Sequence, residues 1–247
     1  MGVVNKSYLG KGTIYLKEIG AATGALSIGN ASEFNLAFNE DKKEQKDYNN
    51  AGGGVVNTVA VIDSVTGTIT MLDISAKNMA LALRGLVTSH ASVSVTDEAH
   101  VAYDDGFIKC DFIADLTTMD VQPSGGGVSY VLDTDYSLGV NGIEIINGGG
   151  IADASTIELN YTSIASHKIQ ALASAGLEYV LTLDGFNEAD SGKAVSLRAH
   201  RIKINPAQAL SMLGDDFGTL PVTFDMLSDS AITGAGLSKY IEIEVTQ

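Results

Sequence analysis

The chain has 247 residues, enough to bury a sizeable core, and its 30 acidic against 15 basic residues give a formal net charge of −15 and a pI near 4.4. That balance argues against adhesion to nucleic acid or to anionic membranes, since both need Lys and Arg to displace counterions. Frequent glycine (27), absent tryptophan and a charged fraction of only 18% favour many short strands and turns over long helices.

Targeting signals are not found in the sequence. The N-terminal residues contain no apolar run of signal-peptide length, and no stretch of about 18 apolar residues occurs anywhere. Lys6 also breaks the myristoylation pattern after Gly2. The single cysteine, Cys110, excludes an internal disulfide framework. We expect a chain that is made and kept in a cytosol-like compartment, or leaves it only as part of something larger.

The first predicted strands are Gly12–Lys17 and one within residues 30–40. In the second, apolar Phe34, Leu36 and Phe38 alternate with polar Glu33, Asn35 and Asn39, so one face is buried and one is solvent-exposed. The eleven residues that follow are almost all charged or polar: Glu40, Asp41, Lys42, Lys43, Glu44, Gln45, Lys46, Asp47, Tyr48, Asn49 and Asn50. Two interpretations stay open for them. They form either a solvated surface loop or an extended arm that becomes ordered only against a neighbouring subunit.

A hairpin is predicted next, because Val55–Ile62 and Thr68–Ile74 are rich in Val, Ile and Thr. Asp63–Gly67 is the predicted turn between them. Alternate positions along the two predicted strands, mostly apolar or threonine, are Val55, Asn57, Val59, Val61, Thr68, Thr70 and Leu72.

The apolar period then changes to three and four, which predicts one face of a short helix. That face consists of Ala76, Met79, Ala80 and Leu83. Ser75 stands at the N-cap, Arg84 in the last turn and Gly85 at the C′ position.

Residues 88–172 have a weaker alternation and several glycine-rich loops, which predicts a small β insertion between two halves of a discontinuous core, 1–87 and 173–247. Within the insertion, Gly142–Ile146 and Thr156–Tyr161 are predicted strands of one meander.

After the insertion, a strand with alternating Leu177, Tyr179, Leu181 and Leu183 leads into a long strand, Lys193–Ile204. The apolar phase of the long strand changes from odd to even positions, which predicts a β-bulge near residues 199–201. A helical turn is predicted over 207–213. Two alternating strands follow, one with Leu220, Val222, Phe224 and Met226 on its apolar face and one with Ile241, Ile243 and Val245.

No catalytic constellation is found. The four histidines are isolated and without zinc-site spacing (His90, His100, His167 and His200). Asp104–Asp105 and Asp215–Asp216 are adjacent pairs whose side chains point apart on an extended chain. Asp133 and Asp135 lack the spacing of a calcium loop, and the glycine triplets lack the exit of a phosphate-binding loop. We therefore expect no enzyme activity, no metal and no cofactor.

Two runs of the sequence resemble the major tail tube proteins of long-tailed bacteriophages. Residues 31–85 resemble the N-terminal half of that family, and residues 177–229 resemble its C-terminal half. Residues 133–162 look like a small β element common in phage tail proteins.

The resemblance implies a β-sandwich with one flanking helix, which assembles as hexameric rings stacked into the tail tube of a virion. Residues 40–50 correspond to the loop that reaches the adjacent ring. The predicted hairpin corresponds to the tube wall, the helix to the subunit boundary, and the insertion to decoration on the tube exterior. The implied partners are other copies of the chain, the tape measure protein and the tail terminator and baseplate proteins. Double-stranded DNA passes without specific binding, and assembly takes place in the host cytoplasm.

Other functional classes stay open at this stage. The inner tube of a bacterial contractile injection system has the same assembly physics. A secreted β-sandwich binding module has similar strands but is expected to carry an export signal and exposed aromatic residues. An enzyme with a site scattered along the sequence is the third alternative.

Overall fold

The computed structural model describes residues 7–246. In that range the chain is mostly β, with one α-helix and several antiparallel sheets. The strands are β1 (Gly10–Glu18), β2 (Leu26–Ser27), β3 (Ala31–Lys46), β4 (Val55–Met71), β5 (Leu86–His90), β6 (Ser94–Ala102), β7 (Phe107–Lys109), β8 (Ala114–Pro123), β9 (Tyr136–Leu138), β10 (Gly142–Ile145), β11 (Ser155–Ser163), β12 (Ser166–Gln170), β13 (Glu178–Asn187), β14 (Lys193–Ile204), β15 (Leu220–Met226) and β16 (Ile241–Val245). The helix, α1, spans Ala76–Ala82.

The chain divides into two compact units. The first comprises Met1–Val87 and Ile169–Gln247, and the second is Thr88–Lys168. The insertion predicted from the sequence ran from residue 88 to residue 172. Strands β5 and β12, which pair with each other, carry the chain out of the first unit and back into it.

The first unit contains one eight-stranded sheet in the order β2-β1-β13-β14-β15-β4-β3, with β16 paired to β14 off this path. Only three residues separate β2 from β3, although these strands lie at opposite ends of the order. Three residues reach about 10 Å, whereas seven strands side by side span about 29 Å. Ile28 N donates to Ile14 O (3.1 Å) and Leu72 N donates to Asn30 O (2.9 Å), so this short link contacts both ends. The sheet therefore curls until its ends meet.

The core of the first unit lies on the inner face of this curled sheet. All four apolar residues predicted for one face of β15 are buried, which confirms the alternation: Leu220, Val222, Phe224 and Met226. Phe224 lies over Gly67 of β4, where a Cβ atom would come within 2.2 Å of the phenyl ring. Glycine at that position is what lets the ring pack against the strand.

The long strand β14 contains the bulge predicted from its phase change. Tyr179 of β13 pairs with Ile202, but Leu181 pairs with Ala199, so two residues of β14 stand opposite one residue of β13. The buried side changes accordingly from Val195, Leu197 and Ala199 to Ile202 and Ile204. The prediction is confirmed.

Helix α1 begins at the predicted cap, since Ser75 Oγ accepts a hydrogen bond from Asn78 N (3.3 Å). The buried residues of α1 are Asn78, Ala80 and Ala82, whereas the other members of the predicted helix face, Ala76, Met79 and Leu83, are half-buried. Asn78 turns inward because its Nδ2 donates to both Ile28 O and Asp73 O, each at 2.7 Å. These bonds tie the helix to the β2–β3 link.

The end of the helix differs from the prediction. Arg84, not Gly85, adopts the left-handed conformation after the helix, with φ of 46°. Its guanidinium donates to Ile204 O (3.0 and 2.8 Å) and to Asn205 Oδ1 (3.3 Å). Charge-assisted hydrogen bonds of this kind offset the steric cost of the left-handed backbone.

Two further predictions are wrong. The 207–213 segment forms no helical turn. In the second unit, β10 and β11 belong to different three-stranded sheets, β7-β10-β9 and β6-β11-β8, so they do not form one meander. The loop between them is held by Asp135, which accepts hydrogen bonds from Val131 N (2.8 Å) and Gly150 N (2.6 Å). These two N–H groups also lower the pKa of Asp135.

Candidate assembly surface

A two-stranded ribbon extends the sheet of the first unit. It pairs Glu40–Lys46, the end of β3, with Val55–Ile62, the start of β4. The predicted turn at Asp63–Gly67 is wrong, because β4 runs unbroken through it and pairs with β3 there, and from Val65 onward with β15 as well. The reversal lies instead at residues 47–54.

The eleven residues predicted as a loop or an arm divide at Lys46. Glu40–Lys46 forms regular strand, so the solvated-loop interpretation is wrong for these seven residues. Their charged side chains are compatible with a strand because each stands opposite a residue of the β-prone Val/Thr segment, for example Lys43 opposite Val59 and Glu44 opposite Thr58. Asp47, Tyr48, Asn49 and Asn50 belong to the reversal.

The reversal is ordered by Asp47. Its carboxylate accepts hydrogen bonds from Asn50 Nδ2 (2.7 Å) and Asn49 N (2.8 Å), which lower the pKa of Asp47. Asp47 N donates to Gly54 O (2.8 Å), and a Cβ atom on Gly53 would come within 2.0 Å of Asp47 O. The glycine-rich segment therefore allows the two strands to close tightly.

An extra residue in β4 decides which side chains share a face of the ribbon. Asn39 pairs with Ser64 and Glu40 pairs with Ile62, so Asp63 has no partner opposite it. Because of this bulge, the side chains at odd positions of β4 before Asp63 and at even positions after it lie on the same face. This is the outer face of the sheet, opposite the core. Five of the seven predicted tube-wall residues lie on that face: Asn57, Val59, Val61, Thr68 and Thr70. Val55 pairs with Lys46 across a second irregularity, and Leu72 follows the last residue of β4.

The ribbon is exposed on both faces. Five of its apolar residues are 45–61% exposed: Val55, Val56, Val59, Val61 and Ile62. Phe38 on β3 is 58% exposed at the point where the ribbon leaves the core. Farther along β4, where β15 adds a third strand, Val65 and Ile69 are buried.

The two edges of the ribbon differ in charge. The β3 edge carries six charged residues, which discourage pairing with another chain: Glu40, Asp41, Lys42, Lys43, Glu44 and Lys46. Val55–Ile62 on the β4 edge carries none. Within the described chain, no strand pairs with that side of β4 before Val65. The β4 edge of the ribbon, Val56–Ile62, is called the bare edge below.

Strand β16 is also partly uncovered. It pairs with β14 on one side and, within residues 7–246, with no strand on the other. Ile243 and Val245, predicted on its apolar face, are 55% and 62% exposed. Their direct partners on β14, Leu197 and Val195, are buried. The inner face of the sheet thus continues onto β16 without a cover.

A shallow groove of about 580 Å³ lies beside β16 on the outer face of the sheet. Its charged lining includes Lys17, Arg198, Glu242 and Glu244. Arg198 and Glu242 are 3.9 Å apart and more than half exposed, an ion pair that contributes little to stability.

The second unit contains a serine–histidine contact that does not form a nucleophile. Ser163 Oγ lies 3.1 Å from His90 Nε2, but the hydroxyl donates to Val93 O (3.1 Å) and accepts from Val93 N (3.0 Å). Ser163 is fully buried, and the His90 ring stacks on Phe112. The contact holds the start of β6 against the end of β11.

A second polar cluster surrounds Glu98, which the sequence did not indicate. Its carboxylate accepts hydrogen bonds from Tyr161 OH and from Asp111 N (2.9 Å), and lies 2.7 Å from His100 Nε2. Burial raises the pKa of Glu98, but the hydrogen bonds from Tyr161 and His100 outweigh burial and lower it. Only the i, i+2 spacing of Glu98 and His100 on one strand face was visible beforehand.

Other groups considered from the sequence are separate from one another. Burial raises the pKa of the Cys110 thiol to about 11, so it is not an activated nucleophile. Asp104 N donates to Asp153 Oδ1 (3.2 Å), and Asp105 Oδ2 accepts from Asn147 Nδ2 (3.3 Å), which places the pair in a turn. Among residues 7–246, no group of three or more His, Cys, Asp or Glu residues is arranged to hold a metal ion.

Comparison with protein families gives one match across almost the whole chain. The model of a family described as "Protein of unknown function UCP028589" matches residues 7–244. The chain belongs to this family. The UCP028589 match spans both compact units, so the second unit is part of what the family shares.

No curated protein matches the chain significantly. Within residues 7–246, no helix has the length and apolar character needed to cross a membrane.

Proposed function

We propose that the chain is a structural virion protein that polymerises as stacked hexameric rings and forms the phage tail tube through which the DNA genome passes. The observation that carries the proposal is the ribbon. Two strands alone are marginal in water, yet this ribbon exposes apolar side chains on both faces and continues a sheet.

Assembly covers the exposed apolar side chains of the ribbon and pairs its free strand edge. Contiguous exposed apolar surface marks an interaction site, and an unpaired strand edge is a template for another strand. Closing such edges around a ring satisfies the backbone groups and removes the edges, as in any barrel. In this proposal the curled eight-stranded sheet stands where the resemblance implied a β-sandwich, and axial stacking extends the ring into a tube.

The outer face of β3 and β4 is the proposed lining of the tube. It carries Glu33, whose carboxylate accepts from Thr70 Oγ1 (3.2 Å), and Asn39, whose Nδ2 donates to Ser64 Oγ (3.1 Å). Such a surface offers hydroxyl, amide and carboxylate groups, with Lys43 as its only basic residue between Glu33 and Gln45. Together with the net charge of −15, it favours sliding of DNA over adhesion.

The remaining parts take the following roles. The arm, residues 40–50, contacts the adjacent ring through the ribbon and its reversal. Ala76, Met79 and Leu83 of α1 lie at the proposed subunit boundary, while Ala80, predicted with them, is buried. The second unit decorates the tube exterior. The tape measure, tail terminator and baseplate proteins are the proposed partners, and the assembled protein resides in the virion tail after assembly in the host cytoplasm.

Negative-stain electron microscopy of the purified chain tests the proposal, with six-fold rings or tubes as the expected result. Deleting residues 42–51 removes most of the reversal and most of the charged edge, and we expect a folded subunit that polymerises poorly. The matched control deletes residues 124–128, a surface turn of the second unit, and is expected to assemble. Normal tubes from the 42–51 deletion contradict the role of the arm, and compact monomers of the intact chain at every concentration contradict the proposed function.

A further inference from the structure

The bare edge is built to receive a strand. Val56–Ile62 is uncharged and rich in β-branched residues, and its outward N–H and C=O groups have no strand partner in the described chain. An edge of this kind binds an extended segment by main-chain hydrogen bonds. The charges on β3 protect the opposite edge, so strand addition is directed to one side of the ribbon only.

Strand β16 has the features of the incoming strand. It has a free edge, and Ile243 and Val245 are exposed although they continue a buried face. It also brings two carboxylates, Glu242 and Glu244. Pairing would bury apolar side chains of both partners, which is the largest favourable contribution to association.

Charge does not oppose this pairing. A strand added to the bare edge lies two strand spacings, about 10 Å, from β3, which is within the range over which charges interact at physiological salt. Glu242 and Glu244 then lie near a β3 segment whose three lysines, Lys42, Lys43 and Lys46, are balanced by Glu40, Asp41 and Glu44. The bare edge itself carries no carboxylate that would repel Glu242 and Glu244.

We infer that the bare edge of β4 binds strand β16 of a second copy of the chain. The inference rests on the proposed function and names the strands that join its subunits. Because the bare edge and β16 are different surfaces of one chain, each copy receives one strand and contributes another. Contacts of this heterologous type close into rings or continue as filaments, rather than stopping at a two-fold dimer.

Cross-linking between copies tests the pairing. A chain with Val59→Cys is mixed with a tagged chain with Ile243→Cys, and the mixture is treated with a short bis-maleimide. Both positions are 55% exposed, and Cys110 is buried, so the native cysteine does not compete. We expect a covalent heterodimer, and no dimer of two Val59→Cys chains. In the matched control, Val140→Cys replaces Val59→Cys; Val140 is 95% exposed in the second unit, and no heterodimer is expected.

A charge placed on the bare edge provides a second readout. Ala60→Lys is expected to raise the concentration needed for assembly by about tenfold or more, equivalent to about 1.4 kcal/mol per contact. Gln45→Lys, on the charged β3 edge of the same ribbon, is expected to change the concentration needed for assembly by less than about twofold. If the wild type assembles but the Val59–Ile243 cross-link is absent and Ala60→Lys assembles normally, the strand pairing is wrong and the proposed function stands. If the wild type does not assemble, the proposed function is wrong, and the strand pairing that rests on it is wrong as well.

Discussion

The two halves of β4 are similar in composition but differ in surroundings. Val65–Met71 lies between β3 and β15, and its inward side chains are buried. Val55–Ile62 has the same β-branched character but only β3 beside it, and its side chains are exposed. The comparison shows that a strand can carry a core-like sequence where its own chain supplies no core. Under the proposed function, a second copy of the chain covers this segment.

The largest expected effect tests the covered half. Phe224→Ala removes a fully buried ring that packs on Gly67 and stacks with Phe34, so we expect the free energy of unfolding to fall by about 3–5 kcal/mol. Chemical denaturation of the monomer measures it. Phe217→Ala, at a fully exposed phenylalanine, is the control and should change stability by less than about 0.5 kcal/mol. Equal effects of the two substitutions would show that Phe224 is not in the core.

An intermediate effect compares the two halves directly. Val65→Ala removes buried methyl groups and is expected to cost about 1.5–2.5 kcal/mol of monomer stability. Val61→Ala, four residues earlier and 61% exposed, should change monomer stability by less than about 0.5 kcal/mol yet weaken assembly. Denaturation curves and light scattering measure the two properties. The proposed difference between the two halves of β4 is contradicted if Val61→Ala destabilises the monomer as much as Val65→Ala does.

The smallest effect concerns the reversal of the ribbon. Hydrogen bonds from Asn50 and Asn49 hold the pKa of Asp47 below its usual value in the folded chain. A depressed folded pKa stabilises the fold above the unfolded pKa of about 3.9, and that contribution is lost as the pH falls through the folded pKa. We expect the protection of the amide protons of residues 49–50, measured as exchange relative to an unstructured chain at the same pH, to fall below about pH 4. In Asp47→Asn this acid-dependent change should be absent, and its persistence would assign it to another group.

Much of the first unit followed from local patterns. The apolar face of β15, the bulge in β14 and the Ser75 cap were predicted because each depends on near neighbours in sequence. The reversal of the β3–β4 ribbon was placed wrongly because Asp63–Gly67 contains turn-forming residues, as the 47–54 segment also does. Pairing of β15 across residues 65–71 decides between them, and that contact is distant in sequence.

Other features required tertiary contacts that no local pattern encodes. Arg84 takes the left-handed position because Ile204 accepts its hydrogen bonds, and Asn78 faces inward because Ile28 accepts its own. Charged Glu40–Lys46 was not recognised as strand because charge lowers β propensity, whereas pairing with Val55–Ile62 overrides it. The uncharged run Val55–Ile62 was visible in the sequence, but its missing neighbour was not.

The most direct test of the account is hydrogen–deuterium exchange of β4 in dilute monomer and in assembled protein. In the monomer, we expect Val65–Met71 to be protected and Val55–Ile62 to exchange rapidly at its outward amides, since only one side of the ribbon is paired. In the assembled protein, the account predicts that the two halves become similarly protected. Rapid exchange of Val55–Ile62 in the assembled protein, or equal protection of both halves in the monomer, would contradict the claim that this strand completes its pairing between copies.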